Sequence, residues 1–259
     1  MQTIYNVLIL GASYGSLLGT RLIGAGHNVK LVCRAPTADL INRCGTRVRM
    51  PVKGQETAEV DSRKLPGSLS ADTPCAVRPG EYDLVVLAMQ EPQYANRELR
   101  GLLEQIGLAR VPCMSIMNMP PLPYLRRIPD LQTEPLASCY ADPSAWESFD
   151  PAQMTLCSPD PQAFRPAGEP ANVLQVTLPT NFKAARFESE TDSAILRRIE
   201  TDIENVRYEV GGKWVELPVK LKVHDSIFVP LAKWAMLLTG NYRCVTRNGT
   251  RSIKEAVHA

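Results

Sequence analysis

A chain of 259 residues with 44% hydrophobic and 22% charged content is long enough for one large or two modest domains, with the composition of an ordinary globular protein. Its 29 basic and 27 acidic residues leave a net charge of +2, too weak a field to mark a nucleic-acid or anionic-membrane binder, although a small anionic ligand stays within reach. The seven cysteines (Cys33, Cys44, Cys75, Cys113, Cys139, Cys157, Cys244) form no C-x-x-C pair and no Cys/His cluster at zinc spacing, so reduced, mostly buried thiols and no metal are expected.

The N-terminus has no cationic n-region, and the apolar run from Val7 stops at Gly11, too short for a signal peptide or a spanning helix. A cytoplasmic protein is expected. Ile4 to Leu10 is a nearly all-apolar stretch rich in β-formers, which suits a strand buried on both faces of a parallel sheet. From Gly15, the residues Leu17, Leu18, Leu22 and Ile23 recur at helical spacing as far as Gly24-Ala25-Gly26, where glycine can cap in the left-handed conformation. Val29 to Val32 reads as a second strand, which completes a β-α-β unit.

Tyr82 to Ala88 predicts another buried strand, Asn96 to Ile106 a helix, and Val111 to Met117 a further strand. Strands alternating with helices predict an α/β, doubly wound Rossmann-type sheet. From Met119 to Pro170 frequent prolines break the pattern, so loops and edge strands, or a partly mobile segment, are expected. Asn172 to Leu178 reads as a strand and Asp192 to Ile203 as a helix. From about Asp225, taken as an N-cap, the run IFVPLAKWAMLL predicts a helix buried between partners. The expected domains are residues 1–220, a dinucleotide-binding unit, and 221–259, the beginning of an all-helical domain. His27 falls in a turn, ordinarily a solvent position, and His224 reads as structural.

The loop Gly11-Ala12-Ser13-Tyr14-Gly15-Ser16 sits between the first strand and the first helix, as a phosphate-binding fingerprint must. It departs from G-x-G-x-x-G. Gly11 suits the tight turn and Gly15 the helix packing, but they are one residue too close, and Ser13 stands near the middle glycine's place. A loop that merely shapes a turn is the alternative. The second strand ends in Cys33-Arg34 where an NAD enzyme carries a carboxylate for the ribose hydroxyls; an arginine there suits the 2′-phosphate of NADP.

Three segments resemble the ketopantoate reductase (2-dehydropantoate 2-reductase) family, within the 6-phosphogluconate-dehydrogenase-like superfamily: Gly15 to Arg34, Tyr82 to Tyr94 leading to Ser115–Pro121, and Leu231 to Asn241. The resemblance implies NADPH-dependent reduction of a small 2-keto acid or related carbonyl compound. It implies Lys233 as the catalytic lysine, Asn118 beside the nicotinamide, Asn241 facing the substrate, and Arg34 on the 2′-phosphate. Met89, Gln90 and Gln93 would line the cofactor together with the loop from Gly11 to Ser16. Departures are Gln90 for the family's lysine, Met119 for the glycine after Asn118, and Leu237 for an asparagine one turn past Lys233. The family's helical second domain continues beyond the point where this sequence stops, so a truncated substrate domain is expected.

The chemistry fits these residue types. Hydride transfer to a ketone builds negative charge on oxygen, which a cationic donor stabilises and can protonate. Asn241 lies eight residues after Lys233, displaced by about 80° around an ideal helix. A lysine within an apolar helix is costly unless paired or facing a cavity, although a snorkelling lysine is the ordinary alternative. Other readings are an opine, hydroxyacid or imine dehydrogenase, and a catalytically silent nucleotide-binding or interaction protein. A small-molecule substrate is the expected partner, and the apolar helix near the C-terminus leaves a homodimer open.

Overall fold

The computed structural model describes residues 3–52, 57–158, 163–177, 179–210 and 212–238. Strand β1 (Asn6–Leu10) leads through the glycine loop into helix α1 (Tyr14–Gly24), then β2 (Asn28–Val32) and α2 (Ala35–Cys44). Gly26 takes φ +88, the left-handed turn expected there. A hairpin of β3 (Arg47–Pro51) and β4 (Thr57–Asp61) precedes β5 (Leu69–Asp72), and β6 (Leu84–Leu87), α3 (Arg97–Ala109) and β7 (Cys113–Ser115) follow.

After the single turn α4 (Leu122–Leu125) come β8 (Met154–Leu156), β9 (Ala163–Phe164), β10 (Val173–Val176) and β11 (Phe182–Ala185). The last elements are α5 (Glu190–Glu204), the hairpin β12 (Arg207–Val210) with β13 (Lys213–Glu216), β14 (Leu221–His224) and α6 (Phe228–Leu238).

The main sheet is wholly parallel in the order β5-β2-β1-β6-β7-β8, the doubly wound order expected from alternating strands and helices. Alternation along β1 divides the core. Val7 and Ile9 join one cluster with Leu17, Leu18, Leu22 and Ile23 of α1, while Leu8 and Leu10 join the other with Leu102, Leu103 and Ile106 of α3. A second sheet, β4-β3-β10-β9, packs into the α1-side cluster through Val48, Met50, Ala58, Val60, Leu174 and Val176. Strands β11 and β14 pair in parallel around α5, which adds Leu196, Ile199 and Ile203 to the same cluster.

The proline-rich stretch forms loops and edge strands, as expected. Prolines 135, 143 and 151 each open a short 3-10 turn, a position where a missing N–H costs nothing. Within and between those turns Tyr140, Trp146 and Phe149 are buried in the α3-side cluster, adding their side chains to those of α3. Strand β8 closes one edge of the main sheet, and β9 lies at an edge of the second.

Four local expectations are corrected. His27 is fully buried: its Nδ1 accepts from the Tyr5 N–H at 3.3 Å, and Nε2 lies 3.6 Å from Asp202 of α5, which covers the turn. Helix α6 starts at Phe228, capped by the Ser226 hydroxyl, which accepts from the Phe228 N–H at 3.2 Å; Asp225 instead pairs with Arg197 at 2.9 Å. Among residues 228–235 only Pro230 and Lys233 are buried, and Phe228 is exposed, because one side of α6 lies against the chain and the other has no cover among the described residues. Of the six described cysteines, all free, only Cys113 and Cys157 are buried, since Cys75 and Cys139 fall on 3-10 turns at the surface.

Candidate functional site

The loops that leave the C-terminal ends of β1, β2, β6 and β7 open on one edge of the main sheet, where doubly wound folds place their ligands. Every described residue singled out in the sequence except Lys233 lies on these loops or in the first turn of α1. Gly11 has φ +112, and its N–H donates to the Val32 carbonyl at 2.9 Å, which binds the exit of β1 to the end of β2. A Cβ there would lie 2.7 Å from Met89 Cγ and 2.9 Å from the Ala88 carbonyl oxygen, so only glycine lets this turn pass the exit of β6. A Cβ on Gly15 would stand 2.5 Å from Ile9 Cγ2; its absence lets α1 settle onto β1.

Ser13 occupies the N-cap of α1 without a side-chain capping bond, and the first turn holds no acidic residue. The Ser16 hydroxyl is committed to the Ala12 carbonyl. The first amides of α1 therefore have no side-chain acceptor, and the positive end of the helix opens beside a turn stripped of side chain at Gly11. These features fit a pyrophosphate. Arg34, exposed at the N-cap of α2, stands at the end of β2 beside half-buried Cys33.

The loop after β6 is built on amide side chains. Met89 N–H donates to the Tyr94 hydroxyl oxygen at 3.2 Å, Gln90 N–H to Gln93 Oε1 at 3.0 Å, and Glu91 N–H to Asn118 Oδ1 at 2.8 Å. The oxygens of Gln93 and Asn118 thus cap the turn Glu91–Ala95, and their NH₂ groups have no partner among the described residues. Glu91, which the sequence did not single out, is buried, and its carboxylate accepts from the Ala141 N–H at 3.1 and 3.2 Å, tying this loop to the proline-rich segment. A lone carboxylate in the loop after β6 is a weak sequence signal, because its partner lies fifty residues away.

Lys233 lies on α6, against the Thr180–Asn181 segment. It is 7% exposed, and its Nζ donates to the Asn181 carbonyl at 2.6 Å and to Thr180 Oγ1 at 3.1 Å. Its charge is felt by Cys157 at the end of β8, whose thiol burial pushes up to about 12. The next residue, Trp234, donates from its indole Nε1 to the Asn118 carbonyl at 2.6 Å, and the Tyr124 hydroxyl donates to Ile227 O at 2.6 Å just before the helix. Helix α6 therefore spans from the Thr180–Asn181 segment to the Asn118 loop. Asn241 lies outside the described residues. Among the described residues no group of His, Cys, Asp and Glu is arranged to hold a metal, and no helix is long and apolar enough to cross a membrane.

No protein-family model and no curated protein matches the chain. Solved structures do. A protein of Ralstonia solanacearum MolK2 described as a candidate ketopantoate reductase superposes with a TM-score of 0.58 at 14% identity, covering 94% of this chain and 71% of its own. D-mandelate dehydrogenase, solved with NADH and anilino(oxo)acetate, gives 0.54 at 15% identity, covering 93% of this chain and 64% of its own. The 2-dehydropantoate 2-reductase of Methylococcus capsulatus gives 0.50 at 15% identity, covering 95% and 69%. The chain therefore has the Rossmann-type α/β fold of the ketopantoate reductase and D-mandelate dehydrogenase structures, over 64 to 71% of their length.

Proposed function

We propose that the protein is an NADPH-dependent oxidoreductase that reduces a small 2-keto acid or related carbonyl compound in the manner of the ketopantoate reductases. The observation that carries this reading is the Trp234–Asn118 hydrogen bond, which fixes the lysine-bearing helix to the loop at the ligand edge of the sheet. The free thiols support a cytoplasmic setting.

When bound, the cofactor supplies the hydride. The amides at the start of α1 and the turn at Gly11 hold its pyrophosphate, and Arg34 binds the 2′-phosphate as a guanidinium fork. Asn118, locked by its bonds to Glu91 and Trp234, positions the nicotinamide and the carbonyl, while Met89, Gln90 and Gln93 line the same side. Lys233, whose Nζ donates to Asn181 and Thr180, is the cation proposed to stabilise the developing alkoxide and then protonate it. Asn241 binds substrate.

The same two acceptors favour a second reading. A lysine already satisfied within its own chain suits a structural role in a catalytically silent nucleotide-binding protein. Oxidation of NADPH in the presence of ketopantoate and a panel of 2-keto acids separates the two. Turnover that falls by about 100-fold or more in Lys233→Ala, with NADPH binding intact, is expected of the reductase. NADPH binding with no turnover in the wild type supports the silent reading, and a wild type that binds neither NADPH nor NADH overturns both.

A further inference from the structure

The exit of β8 and the start of β11 meet at the ligand edge of the main sheet. Strand β8 lies parallel to β7 with Leu156 opposite Ser115, and the Cys157 N–H donates to the Ser115 carbonyl at 2.7 Å, so the chain leaves β8 on the side where Asn118 follows β7. There it meets β11 running the other way. Cys157 bridges Ala184, the Ser158 N–H donates to the Lys183 carbonyl at 2.9 Å, and the Lys183 N–H donates to the Ser158 hydroxyl at 2.9 Å. Opposed strand directions put the residues before Phe182 beyond the end of β8. Thr180 and Asn181 therefore stand past the C-terminal edge of the sheet, and there Lys233 Nζ meets them.

The bond from Trp234 to the Asn118 carbonyl ties the next residue of α6 to the same edge, so two separate contacts fix this part of the helix. An ammonium only 7% exposed needs partners. The two named here differ in kind. The Asn181 carbonyl, 2.6 Å from Nζ, can only accept, and its segment is held beside β14: Asn181 Oδ1 accepts from the Lys220 N–H at 2.9 Å, and the Phe182 N–H donates to the Lys220 carbonyl at 2.9 Å. The Thr180 hydroxyl, 3.1 Å from Nζ, can accept or donate. It accepts from the ammonium and, once a proton has left, can turn and donate to the amine lone pair. Its β-branched side chain has few χ1 choices, which keeps that oxygen in place.

We propose that Thr180 is a positioning residue for Lys233, its hydroxyl holding the lysine at the exits of β7 and β8 both before and after the proton is given up. This rests on the reductase reading above. Hydride transfer leaves an alkoxide; an O–H bond forms there as an N–H bond of Lys233 breaks, and the neutral amine then regains a proton from water. A hydrogen bond accepted from an ammonium is stronger than one made with a neutral amine. Losing the hydroxyl therefore tips the lysine toward its neutral form, which cannot act as the acid.

The test is steady-state oxidation of NADPH by the full chain with ketopantoate and the same panel of 2-keto acids, from about pH 6 to 10, for the wild type, Thr180→Val and Thr180→Ser. Thr180→Val keeps the shape and removes the hydroxyl. It is expected to lower kcat by about tenfold, with NADPH affinity within about twofold, and to move the alkaline fall in kcat down by about one pH unit. Thr180→Ser restores most of both. The Cys157 thiol, which feels the Lys233 charge, is pushed up to about 12 by burial and stays neutral over this range. Thr180→Ala carries the same expectation should the valine variant fail to fold. An unchanged kcat and pH profile overturns the proposal and leaves the reductase reading standing. So does a loss of kcat that serine does not rescue and that leaves the alkaline limb in place, since that is the mark of a merely structural role. A wild type that binds NADPH and turns over nothing overturns the reductase reading and this proposal with it.

Discussion

The indole of Trp234 and the backbone carbonyl of Asn118, 116 residues apart in sequence, meet in a 2.6 Å hydrogen bond. Asn118 in turn accepts the Glu91 N–H through its side chain, so one residue joins α6, the exit of β7 and the exit of β6. Trp234→Phe removes the donor and keeps much of the ring. Stability is expected to fall by about 1 kcal/mol or less, since the bond is open to solvent, with NADPH binding unchanged and turnover lowered several-fold. Urea denaturation and steady-state kinetics measure the two effects; a large loss of NADPH affinity would place the contact in cofactor binding instead.

Gly15 and Ile9 form a testable pair. Gly15→Ala sets a Cβ 2.5 Å from Ile9 Cγ2, an overpacking expected to cost about 1–3 kcal/mol. Ile9→Ala, alone, leaves a cavity worth about 2–5 kcal/mol. The double variant removes the clash, so its destabilisation should be smaller than the sum of the two. Strict additivity in a double-mutant cycle would mean that α1 shifts as a body rather than pressing on Ile9.

Gly11 has no such remedy. At φ +112 any side chain is strained, and one of the obstructing atoms is the Ala88 carbonyl oxygen, which no substitution removes. Gly11→Ala should therefore lower NADPH affinity by more than about tenfold and also reduce stability, by about 1–3 kcal/mol. Retained affinity, measured by fluorescence titration, would show that the pyrophosphate is gripped elsewhere.

The half-buried thiol of Cys33 at the end of β2 should be slow to react. With its pKa moved from 9.0 to about 11, Cys33 carries about 100-fold less thiolate near pH 8 than an ordinary thiol. Exposed Cys75 and Cys139 should be alkylated by iodoacetamide well before it, as read by peptide mass mapping. Labelling of Cys33 at the same rate would mean that the cluster around it opens readily.

His27 links stability to acidity. Burial holds its pKa below the usual 6.5, with Asp202 raising it and Arg198 lowering it as smaller effects. The unfolded chain therefore takes up a proton at this residue before the folded one does. Its contribution to stability is intact above about pH 6.5 and declines as pH falls through 6.5 toward the depressed folded value. Denaturant midpoints between pH 7.5 and about 5.5 should drop more steeply for the wild type than for His27→Gln. Equal slopes would assign the acid sensitivity to carboxylates.

The main sheet was legible because its strands are buried on both faces and therefore read as continuous apolar runs, such as Val7 to Leu10 and Leu84 to Leu87. Of the second sheet only β10 was read, within Asn172 to Leu178; β3 went unread, although Arg47-Val48-Arg49-Met50 alternates cleanly and buries Val48 and Met50, a period of two that was signal enough. Strand β5 offered nothing comparable, with Ala71 as its one buried residue. The candidate site was visible where chemistry follows chain order, at Gly11, Arg34 and Asn118. Trp234 and Glu91 were not, because each matters through a partner far away in sequence, and spacing alone carries no trace of such contacts. His27 was misplaced for the same reason: Asp202 covers it from α5.

The edge position of β8 also bears on how the protein is made. Five strands of the main sheet are in hand once Ser115 has been synthesised, yet the sixth begins only at Met154. At ribosomal speed the intervening residues take roughly 2–8 s, during which β7 presents an unpaired row of backbone donors and acceptors in a nascent domain. Expression of a fragment ending near residue 150 should for that reason yield aggregates, whereas one extended past Cys157 gains the strand that seals the sheet.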